Sequence, residues 1–300
     1  MNNAVDGSFT LAPNGIVFVT IDNSADATSP GAVWWSPFSG PASMLYALPS
    51  DVLPGAAAAD AQNVYFSTGG FGSDAGLFSV PIGGGTVTPI VQDAGLFAGQ
   101  GVEVFTLDAN NIYVGTRDTS TIPLTSSIFS IPKGSTTGSL IYTAPAGLTI
   151  DNLFVDGSTL WWDEEDVIDD QPTTIQSAPI AATLSPTAFA TVQQPLAITQ
   201  FVESGGTVAF SNFTLGSGSG VYTLAQGGTP TLVDSLGLFP ITLGLNGDVY
   251  YTAWGGIQKF TLGSGATPLP TAVTSNQAEG LAVDPSGTLY YANSNCIDKL

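Results

Sequence analysis

One signature recurs along this chain: an apolar-aromatic triplet that follows a turn rich in Asp, Asn and Gly. It begins at Ile16, Val64, Ile112, Leu160, Val208, Val249 and Leu289, as in Val64-Tyr65-Phe66 or Leu160-Trp161-Trp162, at intervals of 48, 48, 48, 48, 41 and 40 residues. A period of this size suits four short strands, A to D, with their turns. An apolar stretch precedes each turn, such as Leu153 to Val155 before Asp156-Gly157-Ser158, and pairs with the triplet as a hairpin. Third and fourth strands follow, such as Ser127 to Pro132 and Leu140 to Thr143. The repeat predicts an all-β chain, a single seven-bladed β-propeller over residues 1–300, with six or eight blades as the alternatives. The inner strands are expected at Thr10 to Ala12, Ala57 to Asp60, Val104 to Leu107, Leu153 to Val155, Ile198 to Val202, Thr242 to Leu245 and Gly280 to Val283.

Composition agrees with a fold of many strands and turns: 36 Gly and 20 Pro stand beside only 9% charged residues. Four basic residues face 24 acidic ones, a net charge of −20. Nucleic-acid affinity rests on clustered Lys and Arg, so that partner class is excluded. No apolar run approaches the roughly 20 residues that span a bilayer, and no membrane insertion is expected. Histidine is absent, which removes Ser-His-Asp and Cys-His catalysis and every imidazole metal site. The lone Cys296 has no internal disulfide partner. The polar start Met1-Asn2-Asn3 lacks a basic and apolar leader. That leaves a cytoplasmic chain or one whose leader has been removed, and the expectation adopted is an extracellular or periplasmic setting.

Segments such as Asn63-Val64-Tyr65-Phe66-Ser67 with Gly76-Leu77-Phe78-Ser79-Val80-Pro81, and Leu281-Ala282-Val283-Asp284-Pro285-Ser286-Gly287-Thr288-Leu289-Tyr290-Tyr291, carry a resemblance. They look like the NHL and YWTD-type propeller repeats of bacterial proteins. The resemblance spans nearly the whole chain and implies the propeller fold rather than an activity.

The B-to-C links are long in the early repeats and short in the last two: compare residues 22–32 and 116–125 with Trp254-Gly255. In a propeller these links share one face with the connections between blades, so a binding site is expected there. The acid run after Trp161-Trp162 is the metal-site candidate: Asp163, Glu164, Glu165, Asp166, Asp169 and Asp170. Six clustered oxygen donors suit Ca²⁺, yet the run lacks EF-hand spacing, and charge runs usually just solvate. No cofactor is otherwise expected. The turn acids Asp60, Asp108, Asp156, Glu203 and Asp284 are read as turn-stabilising residues. The repeated aromatics Tyr65, Tyr113, Trp161, Tyr250 and Tyr290 are read as packing between blades. Asn212-Phe213-Thr214 is an isolated glycosylation sequon.

A sialidase-like site needs an arginine cluster, and only Arg117 exists. Absent catalytic motifs and a rigid repeat platform point to a non-enzymatic binding or scaffold module, its ligand a protein, small molecule or glycan. The alternative is a calcium-dependent, lactonase-like propeller hydrolase, for which no residue set matches the motif.

Overall fold

The structure, a computed structural model, describes residues 3–22, 31–49, 52–69, 76–92, 100–166, 172–193, 198–212, 219–263, 271–274, 278–293 and 296–300. Seven antiparallel sheets follow one another along the chain. The first holds β1 (Asn3–Ala12), β2 (Gly15–Asp22), β3 (Ala32–Pro37) and β4 (Ser43–Ala47). The second holds β5 (Leu53–Ala59), β6 (Asn63–Gly69), β7 (Gly76–Pro81) and β8 (Thr88–Gln92), and the third β9 (Gly101–Leu107), β10 (Asn111–Asp118), β11 (Thr125–Pro132) and β12 (Ser139–Thr143). In the fourth the A strand is broken into β13 (Leu148–Thr149) and β14 (Leu153–Asp156), followed by β15 (Thr159–Asp166), β16 (Thr173–Pro179) and β17 (Thr187–Val192). The fifth comprises β18 (Gln200–Ser204), β19 (Thr207–Asn212), β20 (Gly220–Ala225) and β21 (Thr231–Asp234). The sixth comprises β22 (Gly237–Leu243), β23 (Asp248–Ala253), β24 (Gly256–Thr261) and β25 (Thr271–Thr274), and the seventh β26 (Gly280–Val283), β27 (Leu289–Asn293) and β28 (Cys296–Lys299). All seven repeated triplets fall in the B strand of their sheet. The fold is that of a seven-bladed β-propeller.

The chain packs as two compact units, Met1–Val167 with Ser177–Thr187, and Ile168–Gln176 with Ala188–Leu300. In the first, successive sheets share apolar layers. Val17, Val19 and Val33 meet Val64 and Phe66, Tyr65 and Leu77 meet Phe105 and Ile112, and Tyr113 and Ile128 meet Ile150 and Trp162. Strand alternation explains the pattern: Val64 and Phe66 face back to the first sheet, while Tyr65 between them faces forward to the third. In the second unit Val221 packs with Ile241 and Tyr251, and Ile257 with Leu281 and Tyr291.

Four A strands begin earlier than the sequence indicates, β1 at Asn3, β5 at Leu53, β9 at Gly101 and β22 at Gly237, while β26 spans the expected Gly280–Val283. A register shift separates the two parts in β1 (Val5/Phe9), in β5 (Pro54/Ala57) and opposite Gly115/Thr116 of β10. Such a bulge breaks the two-residue alternation, so only the stretch nearest the turn reads as strand. Residues Asp163 to Asp166, expected in a link, instead extend β15, pairing Glu165 with Thr149 and Asp166 with Leu148.

Candidate functional site

At three of the turns the acid and the tyrosine of the following strand form one device. Asp108 Oδ1 accepts the N–H groups of Asn110 and Asn111, both at 2.7 Å, and its Oδ2 accepts the Tyr113 hydroxyl at 2.7 Å. Asp60 does the same with Gln62, Asn63 and Tyr65, and Asp284 with Ser286, Thr288 and Tyr290. Glu203 accepts the Gly206 N–H. Burial alone would push the Asp108 carboxyl up, but the Tyr113 hydroxyl and the turn N–H groups outweigh it and hold it below the usual range. Asp60, Asp108, Glu203 and Asp284 therefore build blades.

Three residues past the start of the triplet, several B strands carry a polar side chain that bonds nearby backbone: at the bulge of β5, at the A-strand partner in the fifth sheet, and just ahead of β26. Ser67 Oγ accepts the Ala56 N–H at 2.9 Å, Ser211 Oγ donates to Gln200 O, and Thr252 Oγ1 donates to Ala278 O. In the fourth sheet the same position is Asp163, fully buried. Its Oδ1 accepts the N–H groups of Asp151 (3.0 Å) and Asn152 (2.8 Å), and its Oδ2 accepts Asn152 Nδ2 at 2.6 Å. Burial pushes this carboxyl up to about 7 against the pull of the Asn152 donors, and the Asp151 charge adds to the rise. One residue on, Thr20, Thr68 and Thr116 give way to Glu164, which is buried and accepts the Tyr142 hydroxyl and Trp162 Nε1. Hydroxyls perform these tasks elsewhere, so a carboxylate here is more charge than architecture needs.

Beside them lies Arg117, at the end of β10. Its guanidinium bonds Asp151 through Nη2, and its Nε stands 3.7 Å from Glu103 Oε1. Glu103 is the residue bulged out of β9, between Val102 and Val104, and the bulge re-aims its side chain. Thr149 Oγ1 bonds Asp151 Oδ2 and the Glu165 carbonyl. Burial raises the Glu165 carboxyl, the Asp151 charge raises it further, and Arg117 draws it back. Burial and Asp151 likewise raise Glu103 against Arg117. All of these residues belong to the first unit, where the C-terminal ends of β10 and β15 and the start of β9 come together.

Of the metal candidates, Asp163 and Glu165 share one face of β15 and Glu164 the other, as alternation requires. Asp166 ends the strand, and Asp169 and Asp170 lie outside the described residues. Among the described residues no three His, Cys, Asp or Glu side chains are placed to hold a metal ion. Asn212 of the sequon is fully buried. Sequence reading passed over Glu103, Arg117, Asp151 and Asn152. Aligning the repeats position by position would have exposed Asp163 and Glu164 as acids standing where other repeats carry Ser or Thr.

No family model matches the chain, and no curated protein matches it. Solved structures do. A puromycin hydrolase is similar with a TM-score of 0.73 at 13% identity, over 98% of this chain and 51% of that one. A puromycin-hydrolyzing peptidase of Mycobacterium tuberculosis gives 0.69 at 11% identity, over 99% and 53%. The WD40 β-propeller domain of Doa1 gives 0.57 at 12%, over 99% and 92%. The chain spans about half the length of the two hydrolases, and at such identities the likeness is one of fold: this chain is a seven-bladed β-propeller.

Proposed function

We propose that the protein is a non-enzymatic binding propeller, extracellular or periplasmic, whose NHL- or YWTD-like repeats offer a cationic partner the strand ends of the third and fourth sheets. The supporting observation is the arrangement around Arg117, where Glu103, Asp151 and Glu165 share a single guanidinium. Three carboxylates against one cation leave local negative charge in a partly desolvated setting, where it attracts a ligand cation more strongly than solvated acids do. A basic peptide or protein segment is the partner class this suits, consistent with a chain of net charge −20.

Calorimetric titration of a lysine-rich peptide tests this reading. Binding is expected at low salt, weakening several-fold between 20 and 300 mM NaCl, and falling by about tenfold in Glu165→Gln or Glu103→Gln. Asp156→Asn, at an exposed turn, serves as the control. Unchanged affinity in the two Gln variants would sink the assignment. For the hydrolase alternative, a melting rise specific to Ca²⁺ over NaCl of equal ionic strength, lost in Asp163→Asn with Glu165→Gln, is the favouring outcome.

A further inference from the structure

Among the described residues, two donors at the Arg117 cluster have no hydrogen-bond acceptor. Ser126 Oγ is one, on a fully buried residue, and Arg117 Nε is the other, ion-paired with Glu103 Oε1 at 3.7 Å but beyond hydrogen-bond reach of it. Arg117 of β10 lies directly opposite Ser126 of β11, with no register shift between these strands. Opposed residues of an antiparallel pair project from the same face, their Cβ atoms about 5 Å apart. That face looks toward the fourth sheet, since Ile128, two residues beyond Ser126, packs with Ile150, Leu153 and Trp162. Ser126 is thus aimed at the cluster of Glu103, Arg117, Asp151 and Glu165. The Arg117, Glu103 and Asp151 side chains are 20%, 30% and 31% exposed, so the cluster meets solvent on that side. Buried polar groups are almost always satisfied in folded proteins, and an exception marks a place that something else completes.

The geometry points to one oxygen acceptor of the ligand received jointly by Ser126 Oγ and Arg117 Nε, with the ligand's cation on Glu103 and Glu165. This rests on the cation-binding reading above and deepens it. A carbonyl oxygen has two lone pairs and serves both donors. It must be neutral, because an anion would face three carboxylates. A cation and a neighbouring carbonyl together describe a lysine-bearing peptide segment rather than a simple amine.

The test compares acetyl-glycyl-lysyl-glycine amide with butylamine, an ammonium without a carbonyl, on the full chain by calorimetry. The peptide is expected to bind at least tenfold tighter. Ser126→Ala should lower peptide affinity at least fivefold, leave butylamine unchanged, and raise Tm, because it removes an unpaired buried hydroxyl. Ser126→Cys, which keeps the volume and donates weakly, should fall between. Equal affinity for the two probes, or peptide binding indifferent to Ser126→Ala, overturns the inference while the cation site stands. That is also the result if a single buried water serves both donors. Binding of neither probe overturns both.

Discussion

At the scale of single residues, Asp163 shows a repeated position exceeding its structural duty. A serine or threonine hydroxyl bonds nearby backbone at Ser67, Ser211 and Thr252, whereas Asp163 meets three N–H donors from within the core. Its carboxyl is raised from an ordinary 3.8 to about 7, so between those values the folded chain holds a proton that the unfolded chain has released. By linkage, stability contributed here is full below about pH 4 and is lost as pH rises toward 7, an effect of up to about 4 kcal/mol. Asp163→Asn should abolish that slope. The Tm difference, parent minus variant, is expected to be largest near pH 4.5 and to shrink or change sign by pH 7.5. The turn acids Asp60 and Asp108 titrate with the opposite sign, but in both proteins, and so cancel in the difference. A difference that stays constant across that range would show that Asp163 titrates normally.

At the scale of the element, the A-to-B hairpins of the second, third and seventh sheets are locked twice, by the acid in the turn and by the tyrosine that reaches back to it. The two halves are separately visible in the sequence as turn acids and as B-strand aromatics. Their union is not, because it depends on a side chain five or six residues along folding back over the turn. The same limit applied elsewhere. The apolar triplets and turn residues are local and periodic, so sheet number and B-strand positions were legible. The bulges were not, since Glu103 and the pair Asp151 and Asn152 interrupt the alternation on which strand reading depends. The acid run looked like a solvated link because its partners, Tyr142, Asn152 and Thr149, come from other strands. The lock itself is measurable. Tyr113→Phe removes a charge-assisted hydrogen bond from a buried ring while keeping its packing, at an expected cost of about 1–2 kcal/mol. Tyr65→Phe should cost less, because Lys133 Nζ remains 3.0 Å from Asp60 Oδ2. Urea denaturation with unchanged m-value decides the order, and a larger loss for Tyr65→Phe would contradict this account.

For the molecule as a whole, charge is the dominant unbalanced term. Among the described residues, three of the four basic side chains are ion-paired, Arg117 with Asp151, Lys133 with Asp60 and Lys259 with Asp248. Pairs near the surface are worth about 0–1 kcal/mol each, and added salt weakens them. Against that stand 24 acidic residues with four cations among them, whose mutual repulsion opposes compaction and is weakened by the same salt. Repulsive pairs far outnumber attractive ones, so screening should stabilise the fold on balance. At about 0.15 M the screening length is near 8 Å, enough to quiet most interactions between separate turns and links while leaving the buried cluster at Asp163 little affected. Tm is therefore expected to climb by a few degrees between 10 mM and 0.5 M NaCl. Choline chloride should match it closely, because the effect needs ionic strength and not a bound cation. A Tm that falls with NaCl would mean that the three ion pairs outweigh the repulsion. A rise with NaCl that choline fails to reproduce would mean that a particular cation is bound.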